Sequence, residues 1–138
     1  TKIPVTLRKR VIDRAKNKCE YCQISQIGQV ATFHIDHVIP VVAGGETISD
    51  NLALACVSCS LRKGAKRKLK DSITGKIVNI FNPRQQKWSD HFTWNGVQIR
   101  GITATGRATI EALDMNRSTM LAIRFEEGLL GRHPPQQE

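Results

Sequence analysis

Two short cysteine pairs enclose the residues of this chain whose types point to chemistry. In each pair two residues separate the cysteines, which are Cys19, Cys22, Cys56 and Cys59. Four thiolates in two such pairs are the ligand set of a closed, tetrahedral structural zinc site. Residues 23–55 lie between the pairs, whereas the pairs of a simple zinc ribbon are roughly 15–20 residues apart. The interval therefore has room for a hairpin and a loop with chemistry of their own.

The interval contains the residue types that hydrolysis of a phosphodiester with one hard metal ion requires. Asp36 offers a carboxylate oxygen, and Mg²⁺ takes only one or two protein oxygens while it keeps several waters. His37 titrates near neutral pH, so it can accept a proton from the attacking water. Asn51 can fix the loop through its amide and hold the His37 ring in orientation. Neighbours on a strand face opposite ways, so Asp36 and His37 serve one site only if the strand ends or bulges there.

Each of these elements alone has an ordinary structural interpretation. An Asp-His pair at the end of a strand is more often a local hydrogen bond than a catalytic site. Gly44-Gly45 and Asn51 are common turn residues, and isolated cysteine pairs of this spacing can be redox-active. The combination and the order of the elements favour a catalytic interval.

The composition favours a polyanionic partner. The chain has 138 residues, with 21 Lys and Arg against 12 Asp and Glu, which gives a net charge of +9. For a small protein this basic, nucleic acid is the first hypothesis and an anionic membrane surface the second. No run approaches 18 apolar residues, so we expect no membrane span. Cysteines confined to metal-type pairs are typical of a reducing compartment, and we expect a cytoplasmic protein.

Helical and strand patterns place the interval inside a small α+β fold. The sequence predicts a first helix with Thr6 as its N-cap, which runs to about Asn17. A strand over 30–36, a loop after Pro40, a strand over 52–55 and a helix over 57–70 are expected to follow. The segment 62–70 has six positive charges and no negative one: Arg62, Lys63, Lys66, Arg67, Lys68 and Lys70. Such dense like charges destabilise an isolated helix, so we expect a partner's phosphates there, with a merely solvated face as the alternative.

The remainder of the chain carries less chemistry. The sequence predicts a hairpin around Asn95-Gly96, helices over 105–115 and 117–130, and a mobile tail from about residue 132. We interpret Trp88, Phe92 and Trp94 as core residues, with base stacking as the alternative. Residues 1–70 are expected to form the zinc-stapled core with basic helices, and residues 71–138 an extension packed on the same domain.

The ordered motifs resemble those of the HNH endonuclease family. They run from the first cysteine pair through Asp36-His37-Val38-Ile39-Pro40, Gly44-Gly45 and Asn51-Leu52 to the second cysteine pair and Arg62-Lys63-Gly64. More narrowly, they are similar to the branch whose ββα-metal motif lies between zinc-binding cysteine pairs. The resemblance implies that His37 is the general base, that Asp36 binds the catalytic divalent metal and that Asn51 is the central asparagine. It also assigns the four cysteines to structural zinc.

One position departs from the family pattern. The residue after the last cysteine is commonly His or Asn in this family and serves as the second metal ligand, whereas here it is Ser60. A hydroxyl is a weaker neutral ligand, although Mg²⁺ accepts oxygen donors. Three alternatives follow: Ser60 ligates weakly, another residue such as His34 takes over, or catalysis is impaired. His34 lies on the same strand face as Asp36, so it is an auxiliary candidate for metal or phosphate contact; the alternative is a histidine bonded to backbone.

We therefore expect a metal-dependent DNA endonuclease with structural Zn²⁺ and catalytic Mg²⁺ or Mn²⁺, and RNA stays open as a substrate. The first alternative is a catalytically silent, zinc-stabilised module that only binds nucleic acid. The second is a redox protein that uses its cysteine pairs. The sequence leaves open the target, the biological role, the oligomeric state and membership of a longer protein.

Overall fold

The chain folds into two compact units. Its computed structural model describes residues 2–136. The first unit contains the residues up to Lys66 together with Asn82–Gln85, and the second contains Arg67–Phe81 together with the residues from Gln86 onward. Helices and small antiparallel strand pairs make up both, which confirms the predicted α+β class. Within residues 2–136, no helix is both long enough and apolar enough to cross a membrane.

The first unit holds the interval between the cysteine pairs. Its helices and strands are α1 (Val5–Arg14), β1 (His34–His37), β2 (Leu52–Ala55) and α2 (Val57–Lys63). Short 3₁₀ turns lie at Gln26–Gly28, Val41–Ala43 and Ser49–Asn51. The order of helix, strand, loop, strand and helix agrees with the prediction.

β1 and β2 form the antiparallel hairpin that carries the candidate site. His34 pairs with Ala55 and His37 pairs with Leu52 at the two ends of the ladder. Every residue of β2 is buried, and α1 packs on this strand with Val11 fully buried. The apolar β2 therefore anchors the hairpin, and β1 presents the polar side chains.

β1 begins later than predicted, at His34 rather than at residue 30. The side chain of Gln26 takes backbone groups that a ladder would use: its Nε2 donates to Ala31 O at 3.0 Å, and its Oε1 accepts from Phe33 N at 2.7 Å. Val30 is fully exposed. β1 ends at His37. Asp36 and His37 can therefore serve one site, because the strand ends where they lie.

α1 starts at Val5 with Pro4 as its N-cap, so Thr6 lies inside the first turn and is not the cap as predicted. Proline fixes φ near −65°, and here Pro4 O accepts the N–H of Arg8 at 2.9 Å. After the helix ends, Lys16 and Asn17 adopt left-handed φ values of 54° and 58°. These residues turn the chain into the first cysteine pair.

α2 ends at Lys63, so the prediction of a helix over 57–70 was wrong beyond this residue. Gly64 takes φ +50° and ψ −126°, a conformation that L side chains rarely adopt and that stops the helix. The second unit begins shortly afterwards, at Arg67, and opens with a strand, Lys68–Lys70. The six predicted phosphate-binding residues therefore do not lie along one helix.

The second unit consists of β3 (Lys68–Lys70), β4 (Ile77–Asn79), α3 (Trp88–His91), β5 (Phe92–Asn95), β6 (Gln98–Gly101), α4 (Ala104–Ala112) and α5 (Ser118–Leu129). The strands pair as two antiparallel ribbons, β3 with β4 and β5 with β6. Asn95 and Gln98 face each other across the turn, and Gly96 has φ +63°, as the predicted hairpin requires. The two predicted C-terminal helices also form.

Aromatic side chains fill the core of the second unit, as interpreted from the sequence. Trp88 and Phe92 are buried with ring centroids 5.0 Å apart. Trp94 is half-buried, 5.3 Å from the Trp88 ring and 4.7 Å from the ring of His133. His133 also bonds Gly96 O at 2.8 Å, and Arg132 pairs with Glu127. Arg132 and His133, at the start of the predicted mobile tail, thus contact other residues of the second unit. Residues 137–138 lie outside the described residues.

Candidate metal centre and active site

The four cysteines form one buried cluster in the first unit, with Sγ atoms that all lie within 4.8 Å of one another. The Cys22 and Cys56 Sγ atoms are 3.7 Å apart, too far for a disulfide bond of about 2.0 Å. A tetrahedral zinc with Zn–S bonds of about 2.3 Å has sulfur–sulfur edges of about 3.8 Å. In each pair, the first sulfur accepts the N–H of the second cysteine at 3.4 Å. The cluster therefore fits a zinc-type site.

The crowding of the thiols changes their protonation. Hydrogen bonds from Cys19, Cys22 and Cys59 hold the pKa of Cys56 well below that of an ordinary thiol. Burial is the main cause that raises the pKa of Cys19. Metal ligation requires thiolates, and a bound cation offsets the cost of burying their charge.

The polar faces of β1 and α2 pack against each other. His34 and Asp36 are two residues apart on β1, and Ser60 and Lys63 are three residues apart on α2, so each pair shares one face. His34 Nδ1 lies 2.9 Å from Ser60 Oγ. Asp36 Oδ2 lies 3.0 Å from Lys63 Nζ. The structure thus brings the predicted metal ligand Asp36 and the candidate ligand Ser60 onto facing elements.

Lys63 is buried, which corrects the prediction that it contacts phosphates. Its side chain is 0% exposed and that of Asp36 is 10% exposed. Lys63 Nζ also donates to His37 O at 3.0 Å, and Tyr21 OH donates to Asp36 Oδ2 at 3.2 Å. Burial raises the pKa of Asp36, and the Lys63 ammonium opposes that shift. Lys63 therefore balances the negative charge of Asp36, the candidate metal ligand, from inside the protein.

His37 ends β1 and lines a cleft of about 750 Å³. Its Nε2 lies 2.9 Å from Thr47 Oγ1. Burial lowers the pKa of His37, and the charge of Asp36 opposes that shift. The residues that line the cleft are Ile3, Arg8, Thr32, Phe33, His34, Ile35, His37, Val41 and Ser60. The cleft therefore joins the candidate base to His34 and Ser60, whereas Asp36 lies outside this lining.

Asn51 ties down the loop that leads away from β1, as expected. Its Oδ1 accepts Ile39 N at 2.8 Å, and its Nδ2 donates to Ile39 O at 3.1 Å and to Glu46 O at 2.9 Å. A Cβ at Gly45 would lie 1.7 Å from Ile39 O and 2.9 Å from Asn51 Nδ2, so only glycine fits there. Asn51 does not hold the His37 ring as predicted, because the ring's hydrogen-bond partner is Thr47.

Sequence reasoning missed Thr47 and Tyr21. Thr47 lies in a turn-rich loop where no periodicity marks it. Tyr21 lies between Cys19 and Cys22, and an aromatic residue enclosed by two metal-type cysteines is the one signal that could have suggested its burial. The five other cations of the basic segment are all exposed. Arg62 and Lys66 belong to the first unit, and Arg67, Lys68 and Lys70 belong to the second.

Comparison with known proteins relates the interval between the cysteine pairs to a protein family. No curated protein and no solved structure shows a significant match to the chain. Residues 19–66 match the family model of the HNH endonucleases, which confirms the resemblance that the cysteine pairs and the Asp36-His37 pair carry.

Proposed function

We propose that the chain is a metal-dependent endonuclease that hydrolyses phosphodiester bonds of DNA, with His37 as general base and Asp36 as ligand of the divalent metal. The observation that supports this most is the position of His37. It lines an open cleft, its ring is oriented by Thr47, and it lies inside the segment that matches the HNH endonucleases.

One of the two donor–acceptor arrangements of the contact with Thr47 makes Nδ1 of His37 the proton acceptor. When Nε2–H donates to Thr47 Oγ1, Nδ1 carries the free lone pair. Burial lowers the pKa of His37, which favours the neutral ring. The water oxygen attacks phosphorus, and its proton passes to His37 Nδ1. The bond from phosphorus to the 3′ oxygen breaks, and the departing 3′ oxygen takes a proton from solvent. By the family resemblance, the products carry 5′-phosphates.

Asp36 and Ser60 offer oxygen donors of the kind that a hard divalent cation takes. The contacts of Asp36 with Lys63 and Tyr21 both fall on Oδ2, which leaves Oδ1 as a ligand atom. Ser60 Oγ on the facing helix is a second oxygen donor, and its contact with His34 orients it. Mg²⁺ takes one or two protein oxygens and completes its shell with water and substrate phosphate. When bound, Mg²⁺ or Mn²⁺ supplies positive charge for the phosphate and the departing oxygen.

Exposed cations support DNA as the substrate. Arg62 and Lys66 are exposed on the first unit. Lys68 and Lys70 are exposed and two residues apart on β3 of the second unit, so they point to the same side of that ribbon. Arg67 directly precedes them. Contacts of this kind bind phosphates without reading bases, so the proposed binding has strong salt dependence and weak sequence preference.

A second candidate function is supported by the buried Asp36–Lys63 pair. This pair neutralises the only carboxylate that is proposed here as a metal ligand. A catalytically silent, zinc-stabilised module that binds DNA or RNA would retain the cysteine cluster and the exposed cations and would leave His37 idle.

Nicking of supercoiled plasmid with Mg²⁺ or Mn²⁺ separates the two candidates. His37→Ala should lower the rate by about 10²- to 10⁴-fold, the usual contribution of a general base. His133→Ala, a histidine of the second unit, is the matched control and should cut like the wild type. Zinc content and circular dichroism of each variant must match the wild type. A wild-type protein that cuts with no divalent metal would leave the binding module as the function.

A further inference from the structure

Lys63 touches both residues of the candidate catalytic pair at once. Its ammonium lies 3.0 Å from Asp36 Oδ2 and donates to His37 O at 3.0 Å. Since the side chain is fully buried, no solvent screens the charge that it places beside Asp36. A divalent cation that approaches Asp36 therefore meets a carboxylate whose charge is already balanced.

The other candidate donors do not restore the missing negative charge. Ser60 and His34 are neutral ligands when they bind a metal, so Asp36, Lys63, Ser60 and His34 together have no net charge. In the described part of the chain, the four cysteines are the only group of three or more His, Cys, Asp or Glu side chains close enough to hold one ion. The protein thus offers the second metal an incomplete and uncharged site.

We propose that Lys63 makes binding of the catalytic metal depend on nucleic acid: the ion binds tightly only when a phosphate of bound DNA supplies the negative charge that Lys63 cancels. This inference rests on the proposed function and adds a rule for how the site is loaded. Lys63 is a positioning residue in this scheme, because it acts through Asp36 and does not touch the substrate.

The proposal links the binding of DNA thermodynamically to the binding of the metal ion. If DNA tightens metal binding by some factor, the metal must tighten DNA binding by the same factor. Coupling between two sites is typically about 5- to 150-fold. We expect a value in this range for the wild-type site and a much smaller one where Lys63 is replaced by a neutral residue.

The test measures binding and not turnover. Zinc-loaded His37→Ala protein, in which we expect cleavage to be slowed by about 10²- to 10⁴-fold, is titrated with Mn²⁺ by calorimetry. The titration is run with and without a duplex oligonucleotide, and with the duplex alone as a blank. The duplex affinity is then measured by fluorescence anisotropy with and without Mn²⁺ at constant ionic strength. Both routes should give the same factor, and Mn²⁺ should bind the free protein weakly.

Three further variants identify the source of the coupling. Lys63→Met should tighten Mn²⁺ binding to the free protein and shrink the factor, since the carboxylate is no longer compensated. Arg62→Met removes the exposed neighbouring cation of α2, so it should weaken DNA binding and leave the factor unchanged. Asp36→Asn/Lys63→Met replaces both charges by neutral groups of similar shape, which keeps the site uncharged, and should leave Mn²⁺ binding to the free protein as weak as it is with the wild-type pair.

Equal Mn²⁺ affinity with and without DNA in the His37→Ala protein overturns the inference, even if Lys63→Met fails to fold. Plasmid nicking by the wild type is scored independently. If nicking depends on His37 but the coupling factor is one, the inference fails and the proposed function stands. If Mn²⁺ does not bind outside the zinc site, either with or without DNA, the inference and the proposed function both fail.

Discussion

His37 Nε2 lies 2.9 Å from Thr47 Oγ1, a contact between the last residue of β1 and the loop that Asn51 ties down. Thr47→Val keeps the shape of the side chain and removes the hydroxyl. A neutral hydrogen bond contributes about 0.5–1.5 kcal/mol, which corresponds to roughly a 2- to 12-fold decrease in kcat. Steady-state nicking kinetics measure it.

Thr47→Ser is the matched control, because it retains the hydroxyl and should restore most of the rate. A role in orientation predicts that kcat falls while KM for DNA stays constant. If Thr47→Val cut as fast as the wild type, the hydroxyl would have no part in holding the base.

Zinc should hold the first unit together. Cys59→Ala removes one ligand of the cluster, and we expect loss of the bound zinc together with much of the helical signal. Metal binding supplies about 10–16 kcal/mol to small zinc-stabilised folds, more than a unit of this size gains from its core. Metal analysis and circular dichroism measure both effects, and EDTA treatment of the wild type should mimic the variant.

Leu61→Ala, an exposed position of the same helix, is the control and should retain one zinc per chain. Mild oxidation of the wild type tests the redox alternative. A folded protein without zinc, with cysteine pairs that cycle between thiol and disulfide, would contradict the structural role.

The cysteine cluster shows what sequence reasoning predicts well. Thiolate chemistry and pair spacing suffice, because four ligands of one metal site must lie together, and Cys19 and Cys56 do lie in one cluster although residues 20–55 separate them in the sequence. The Asn95-Gly96 turn was predictable for a related reason, since a positive φ is a local requirement that few residues meet.

Long-range partners were not predictable in the same way. The neighbouring residues in the sequence suggest that Lys63 is one of a run of surface cations. Only the packing of α2 on β1 places it opposite Asp36. Gln26 likewise shortens β1 through side-chain bonds to Ala31 and Phe33 that no periodicity reveals. Sequence patterns report propensity and burial, whereas the roles of Lys63 and Gln26 depend on residues distant from them in the chain or on irregular backbone.

We expect Ser60 to limit the affinity of the proposed catalytic metal site. Ser60→Asn replaces a hydroxyl by a carboxamide oxygen, a stronger neutral ligand for a hard cation. We expect Mn²⁺ binding in the presence of DNA to tighten several-fold and nicking at subsaturating Mn²⁺ to rise. Leu61→Asn adds the same group at an exposed neighbour on α2 and should change neither. A weaker site in Ser60→Asn would instead favour a role for His34 that the larger side chain disturbs.

The exposed face of β3 should contribute to DNA affinity through phosphates alone. Replacing Lys68 and Lys70 by Ala should weaken binding of all duplex sequences equally. It should also reduce the slope of log K against log salt by about 0.9 for each phosphate that the protein no longer neutralises. Anisotropy titrations over a salt series measure both, with exposed Lys87→Ala in the same unit as the control. An unchanged slope in the double variant would exclude this ribbon from the interface.

Asp71 should make the second unit sensitive to acid. Its buried carboxylate accepts hydrogen bonds from Arg107 Nε and Nη2 at 3.2 and 3.0 Å and from Thr74 Oγ1 at 2.7 Å. The bonds from Arg107, and next those from Thr74, hold the pKa of Asp71 well below its usual range. A depressed pKa in the folded state contributes stability above the unfolded value of about 3.9, and this stability disappears as pH falls below it.

The two tryptophans of the chain, Trp88 and Trp94, both lie in the second unit, so their fluorescence reports its unfolding without interference from acid release of zinc. The urea midpoint of the wild type should fall steeply between about pH 5 and pH 2. Asp71→Asn should have a lower midpoint at pH 7 and a flatter profile, because the group that titrates is gone. Asp90→Asn, an exposed position on α3, should follow the wild-type profile. If Asp71→Asn kept the full acid dependence, carboxylates other than the Arg107 partner would control the acid stability of this unit.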